Sequence, residues 1–309
     1  MKKIAVLFPG QGSQYVGMGK AFYDQDPDFR AGFDRMGEKL GVDIHRLCFA
    51  ETELQNETEY LQIAITTVSS LIFDSVSKLL KGAEIAFIGH SLGEFSALYA
   101  AGVFDHNTLT DLVCYRGEVM AEAARNHPGK MASVIGGEKD KLESVCEALR
   151  QVGYVVQVAN YNLPNQIVIS GTSDAIDQFA QRQAEVGFRR LVYLKVSGAF
   201  HSELMQTAAD KFLERLKARK KQAPKYPVVM NATAKELEFD RIDEVLAKQL
   251  ISPVRFTESI QLMLDRGIDT FVEIGPGTVL QNLVRKIAPD ATIMSINTPE
   301  DINQLEEIL

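Results

Sequence analysis

Short apolar runs alternate with longer amphipathic segments along most of the chain, the pattern of strands feeding helices in an α/β protein. Lys3 to Phe8 (KIAVLF) and Ile85 to Ile88 are compact apolar runs, as expected of strands buried on both faces of a parallel sheet. Pro227 to Met230, Thr270 to Ile274 and Ala291 to Ile296 read as further strands. Tyr15 to Gly41 reads as mostly helical. Glu57 to Leu80 sets Leu61, Ala64, Ile65, Val68, Leu71 and Ile72 on one helical face, with Gln62 and Thr66 beside it. Asp105-His106-Asn107-Thr108 supplies cap chemistry for a helix running from Thr108 to about Arg125.

Beyond Asn126-His127-Pro128-Gly129 the rhythm changes. Strands at Lys130–Ile135, Tyr154–Ala159, Gln166–Ser170 and Arg190–Val196 alternate with helices at Glu138–Arg150 and Asp174–Glu185. The order β-α-β-β-α-β is the ferredoxin-like pattern. We expect residues 127–197 to be an inserted ferredoxin-like subdomain, and residues 1–126 and 198–309 to form one large α/β domain. That domain resumes with a helix to about Lys220, then helices at Ile242–Leu250, Thr257–Arg266 and up to Lys286.

Composition narrows the class. The chain has 309 residues, 46% hydrophobic and 24% charged, as in a soluble globular protein. A formal charge of -8 argues against a nucleic-acid partner. No apolar run reaches membrane-spanning length, and Met-Lys-Lys leads straight into a strand, so neither a membrane span nor a signal peptide is expected. Three widely spaced cysteines match neither a disulfide framework nor a metal site. A cytoplasmic monomer is the expectation. Lys217, Arg219, Lys220, Lys221 and Lys225 form a basic cluster that suits either a docking surface or a solvated helix end.

The chemistry centres on Gly89-His90-Ser91-Leu92-Gly93, which follows the run Ile85–Ile88 and opens a small-residue, apolar helix. Strand, G-x-S-x-G and helix together are the context of a nucleophile elbow, where the turn is too sharp for a β-carbon at either glycine. Ser91 is thereby the candidate nucleophile. The Leu92 amide, at the positive end of the helix, points where an oxyanion would form. Gly10 and Gly12 follow the first strand, but the next glycine is Gly17, so the dinucleotide fingerprint fails.

Ser91 needs a general base. Of five histidines, His45 lies in an ordinary segment, His90 inside the elbow, His106 at a cap and His127 before a proline. His201, on a glycine-bearing loop past a strand, is favoured. No carboxylate stands out as a third triad member, and a backbone carbonyl can hold the imidazole instead. Arg116 lies on the apolar stripe of Leu109, Leu112, Val113, Met120 and Ala123, with no carboxylate three or four positions away. The stripe alone favours an acidic partner elsewhere or an end reaching water, over a clamp for a substrate carboxylate.

GQGSQ near the start, GHSLGEFSAL at the elbow, Arg116 in CYRGEVM, GAFHS around His201 and EIGPG near the end occur in one order along the whole chain. In this the sequence resembles the malonyl-CoA:acyl carrier protein transacylases of fatty-acid synthesis. The resemblance implies an α/β-hydrolase-like large domain with a ferredoxin-like insert. It implies Ser91 as nucleophile, His201 as base, Gln11 and the Leu92 amide as oxyanion hole, and Arg116 binding the malonyl carboxylate. It also implies that the Gln249 carbonyl orients His201, that Gln62, Asn160 and Asn162 line the cleft, and that Phe200 crowds a branched acyl group. Ser252 stands where the family commonly has Asn, and Ile63 where it has Pro. The implied substrates are malonyl-CoA and the phosphopantetheine thiol of acyl carrier protein, with no metal or other cofactor. A carboxylesterase or thioesterase, and a scaffold that only docks a carrier protein, are the rival readings.

Overall fold

The computed structural model describes residues 2–309; Met1, the first residue of the Met-Lys-Lys start, lies outside them. Ten strands occur among these residues: β1 (Lys3–Phe8), β2 (Glu84–Gly89), β3 (Lys130–Gly136), β4 (Val156–Leu163) and β5 (Gln166–Gly171). They continue with β6 (Phe188–Tyr193), β7 (Val228–Met230), β8 (Lys235–Glu236), β9 (Thr270–Ile274) and β10 (Thr292–Ile296). They make two sheets. The larger has the order β10-β9-β1-β2-β7-β8, parallel throughout except at its β8 edge.

β1 is central because both its faces are apolar. Ile4, Val6 and Phe8 enter the core beneath the helices Thr58–Val76 and Gly93–Ala100. Ala5 and Leu7 enter the opposite core, beneath the helices Phe256–Asp265 and Val279–Ile287. Fully burying side chains of the larger types is worth about 1.5–3 kcal/mol each, which locks β1 against slippage by one residue.

The smaller sheet has the order β4-β5-β3-β6 and is antiparallel at every pairing. This is the ferredoxin-like arrangement, with the helices Lys139–Gln151 and Ser173–Ala180 on one face around Ile176 and Phe179. The smaller sheet is tied to the rest of the chain at β4, where Tyr161 N–H donates to Val254 O and Val254 N–H donates to Ala159 O, each at 2.8 Å.

Some elements differ from the sequence reading. Helix begins only at Lys20, because Gly17 and Gly19 adopt left-handed φ values of 95° and 80° in the turns before it. The expected helix Asp174–Glu185 is interrupted after Ala180 by the exposed residues 181 and 182 and resumes for one turn at Gln183–Val186, which packs only through Val186. The expected helix to Lys220 stops at Lys217, and the strand Arg190–Val196 is shifted to Phe188–Tyr193. The segment around His45, read as helix or turn, is the helix Ile44–Phe49, while the helix Asp301–Ile308 was not anticipated, although Ile302, Leu305 and Ile308 carry helical spacing. The basic cluster is largely neutralised: Lys217 pairs with Glu214, Arg219 with Asp111, and Lys221 with Asp243. No helix among the described residues is long and apolar enough to cross a membrane.

The parallel sheet gathers its loops at the carboxyl ends of β1, β2, β7 and β9, the edge where ligands bind in open α/β sheets. The GPG turn after β9 explains its glycines: a β-carbon on Gly275 would lie 2.4 Å from Ser69 Oγ, and one on Gly277 2.8 Å from Ser13 O. The turn thus rests directly on the GQGSQ loop.

Candidate active site

The elbow follows from steric demand. A β-carbon on Gly89 would lie 2.0 Å from Glu94 N, and one on Gly93 would lie 2.0 Å from Phe8 O. Between them Ser91 has φ 52°, a left-handed conformation that costs a serine roughly 1–3 kcal/mol. Two buried side chains stabilise it. Asn231, the residue after β7, accepts from Ser91 N–H at 2.7 Å and donates from Nδ2 to Gly89 O at 2.6 Å. Gln249 donates from Nε2 to Ser91 O at 2.8 Å.

His201 stands against Ser91, with Nε2 2.7 Å from Oγ. Its Nδ1 lies 2.8 Å from Gln249 O and 3.2 Å from Ser252 O. Carbonyls only accept, so Nδ1 carries the proton and Nε2 is left to accept from the serine hydroxyl. Because the partner atoms are backbone, Ser in place of Asn at position 252 leaves the contact available. Burial, and then the nearby Arg116 cation, lower His201 to about 3, so the imidazole is neutral at pH 7. Its own φ is 58°, and Gln157 from β4 braces the loop by donating to the carbonyls of His201 and Ile251 at 3.1 Å.

Arg116 is fully buried. Nη1 donates to Gln62 Oε1 at 2.7 Å, and Nη2 donates to Gln249 Oε1 at 3.0 Å and to Ser91 Oγ at 3.3 Å. Its Cζ lies 5.4 Å from the Phe95 ring centroid. Nε–H finds no acceptor among the described residues. The acidic residue elsewhere in the fold that the stripe favours is present as Glu94, but it does not touch the guanidinium: neutral amides make the direct contacts, and no end of the side chain reaches water. Burial lowers it to about 10, and Glu94 pulls it back up, so it stays charged at neutral pH.

The remaining sequence candidates fall around this centre with unequal contact. The GQGSQ loop abuts the elbow, because a β-carbon on Gly10 would lie 2.4 Å from His90 O and 3.6 Å from Leu92 N. That sets the loop bearing Gln11 against the elbow, close to the Leu92 amide. Phe200 is buried next to His201. Asn162 Oδ1 accepts from His90 Nε2 at 2.8 Å, tying β4 to the elbow. Asn160 is buried and its backbone bridges to Val254. Gln62 reaches Arg116 although Ile63 stands where Pro is usual.

Three residues escaped the sequence reading: Glu94, Asn231 and Gln157. Glu94 had a signal, being the lone acid in an otherwise apolar helix, which is the same logic that singled out Arg116. Asn231 and Gln157 had none beyond a polar residue on or after a strand.

The site can activate a serine hydroxyl, hold a neutral imidazole and present a buried cation to whatever the serine carries. The chain matches the Acyl transferase domain family over residues 6–298. It is 40% identical over 308 residues to the malonyl CoA-acyl carrier protein transacylase of Bacillus subtilis, covering 98% of this chain and 96% of that protein. The crystal structure of MCAT from Streptococcus pneumoniae superposes with a TM-score of 0.92 at 40% identity, covering 99% and 100% of the two chains. The structure of a type II PKS acyl-carrier protein in complex with its malonyl-transacylase superposes with a TM-score of 0.94 at 32% identity over 99% of each chain. By fold, site and sequence together, the chain belongs to the acyl transferase domain family, among the malonyl CoA-acyl carrier protein transacylases.

Proposed function

We propose that this chain moves the malonyl group from malonyl-CoA to the phosphopantetheine thiol of acyl carrier protein through a malonyl-serine intermediate, supplying fatty-acid chain elongation. The observation that carries the reading is the buried Arg116 cation with Nη2 3.3 Å from Ser91 Oγ, within reach of a carboxylate on a serine-bound acyl group.

In the first half-reaction, Ser91 Oγ attacks the thioester carbonyl as its proton passes to His201 Nε2. The oxyanion is met by the Leu92 amide and Gln11. The carbon–sulfur bond breaks, and His201 returns the proton to the departing coenzyme A thiolate. Malonyl-Ser91 then holds its carboxylate on Arg116. In the second half, the carrier thiol gives its proton to His201, attacks the ester carbonyl and releases Ser91 by the reverse path. Atoms and protons balance without a metal or redox group. Residues 127–197 act in this reading as the inserted subdomain that brings Asn160 and Asn162 to the cleft formed by residues 1–126 and 198–309. The enzyme works as a cytoplasmic monomer.

The test is intact-mass analysis after malonyl-CoA, followed by a chase with holo acyl carrier protein. One malonyl adduct should form and then vanish as the carrier gains it. No adduct, or hydrolysis without transfer, would exclude the reading. Selectivity separates two roles. Arg116→Ala should lose most malonyl acylation, a ratio change against acetyl on the order of 2–5 kcal/mol, or about 30- to 5,000-fold. Phe200→Ser should keep the carboxylate requirement while relaxing rejection of methylmalonyl-CoA. An unchanged malonyl-to-acetyl ratio in Arg116→Ala would make that arginine structural.

A further inference from the structure

Glu94 is fully buried at the start of the elbow helix, and the mechanism above gives it no part. Its Oε1 accepts from Asn231 N–H at 2.5 Å and its Oε2 from Gln249 Nε2 at 2.7 Å. Burial pushes Glu94 up to about 7, while these two N–H donors and the Arg116 cation draw it down and favour the ionised form, which prevails above that pH. Gln249 spans the gap to Arg116. Its NH2 end faces the carboxylate and its Oε1 faces the guanidinium, so the amide dipole lies along the field between the two charges. The other polar partners of Arg116 are Gln62 and Ser91, and neither carries a charge. His201 beside it is neutral, and His90 points to Asn162.

We infer that Glu94 is the resident counter-ion of Arg116, held to it through the Gln249 side-chain amide, and that it sets how sharply the acyl pocket selects acyl groups bearing a carboxylate. This rests on the malonyl-transfer reading and adds a residue that limits its selectivity. In the resting site one cation and one anion balance. A malonyl group brings a second anion to the same cation, and Glu94 repels it. A neutral acyl group meets no such opposition. Glu94 therefore makes the buried arginine tolerable in the empty pocket and weakens its hold on the malonyl carboxylate.

The experiment measures acylation by malonyl-CoA and acetyl-CoA in Glu94→Gln, Glu94→Asp, Arg116→Ala and the Glu94→Gln/Arg116→Ala double variant. Glu94→Gln should raise the malonyl-to-acetyl ratio about tenfold, even if the lost hydrogen bond slows both reactions. Glu94→Asp, which keeps the charge, should stay near the wild-type ratio. With Arg116 already replaced, Glu94→Gln should no longer move the ratio. If the variants acylate too slowly, the same ratio is read as dissociation constants for the two thioesters in a Ser91→Ala background. An unchanged or lower ratio in Glu94→Gln, with Arg116→Ala still unselective, overturns the counter-ion role and leaves the malonyl reading standing. A wild-type ratio in Arg116→Ala removes both.

Discussion

Ser91→Ala is expected to abolish the covalent acyl-enzyme, leaving the mass of the chain unchanged after incubation with malonyl-CoA. The fold should survive. Only one hydroxyl is lost, and the elbow backbone remains held by Asn231 and Gln249, whose bonds go to Ser91 N–H and C=O rather than to the hydroxyl. Alanine must still adopt the left-handed φ, as serine does, so little new strain is added. The freed His201 Nε2 and Arg116 Nη2 each lose one contact, a change on the order of 1–3 kcal/mol. A stable malonyl adduct on the alanine protein would put the nucleophile elsewhere. A gross loss of thermal stability would mean that the hydroxyl bears structural weight that this geometry does not give it.

His201→Ala should slow both half-reactions by about 10²–10⁴, the range for losing a positioned general base. Equal rates in the two proteins would remove the histidine from the mechanism. The same substitution has a signature in stability. His201 is lowered from 6.5 to about 3 by burial and the Arg116 cation, so between those values the unfolded chain binds a proton that the folded chain refuses. The unfolded state holds more protons in that window, so stability falls as pH drops from 6.5 towards 3, by up to about 1.4 kcal/mol per pH unit from this group. Above pH 6.5 the contribution is flat. Denaturant titrations at pH 7.5, 6 and 5 should therefore show a shallower acid-side decline in His201→Ala. An identical decline in both proteins would mean that the imidazole is not held neutral.

Much of the architecture was legible because it depends on local requirements. An apolar run with no polar face must be covered on both sides, and β1 and β2 are. Strand, G-x-S-x-G and helix admit one tight turn, and the close approaches at Gly89 and Gly93 enforce it. The βαββαβ rhythm led to the antiparallel order of the smaller sheet, even though the helix after β5 proved interrupted at the exposed pair Gln181 and Arg182. Missed boundaries lie at Gly17–Gly19, where left-handed glycines precede the helix, and after Lys217, where Lys221 turns back to donate to the Leu216 and Arg219 carbonyls.

Sequence alone established that Ser91 sits on an elbow and that Arg116 lies on a core-facing stripe, because both follow from residues within one turn of each other. The resemblance named the partners of His201. Only the tertiary structure decided what neutralises Arg116. Its contacts come from Gln62, 54 positions away, and Gln249, 133 positions away, while the carboxylate behind Gln249 sits on the elbow helix itself. Periodicity reports which face a residue turns inward. It carries no record of which distant side chain closes on that face, because that is settled when the sheet brings the carboxyl ends of β1, β2 and β7 together and water is expelled from between them.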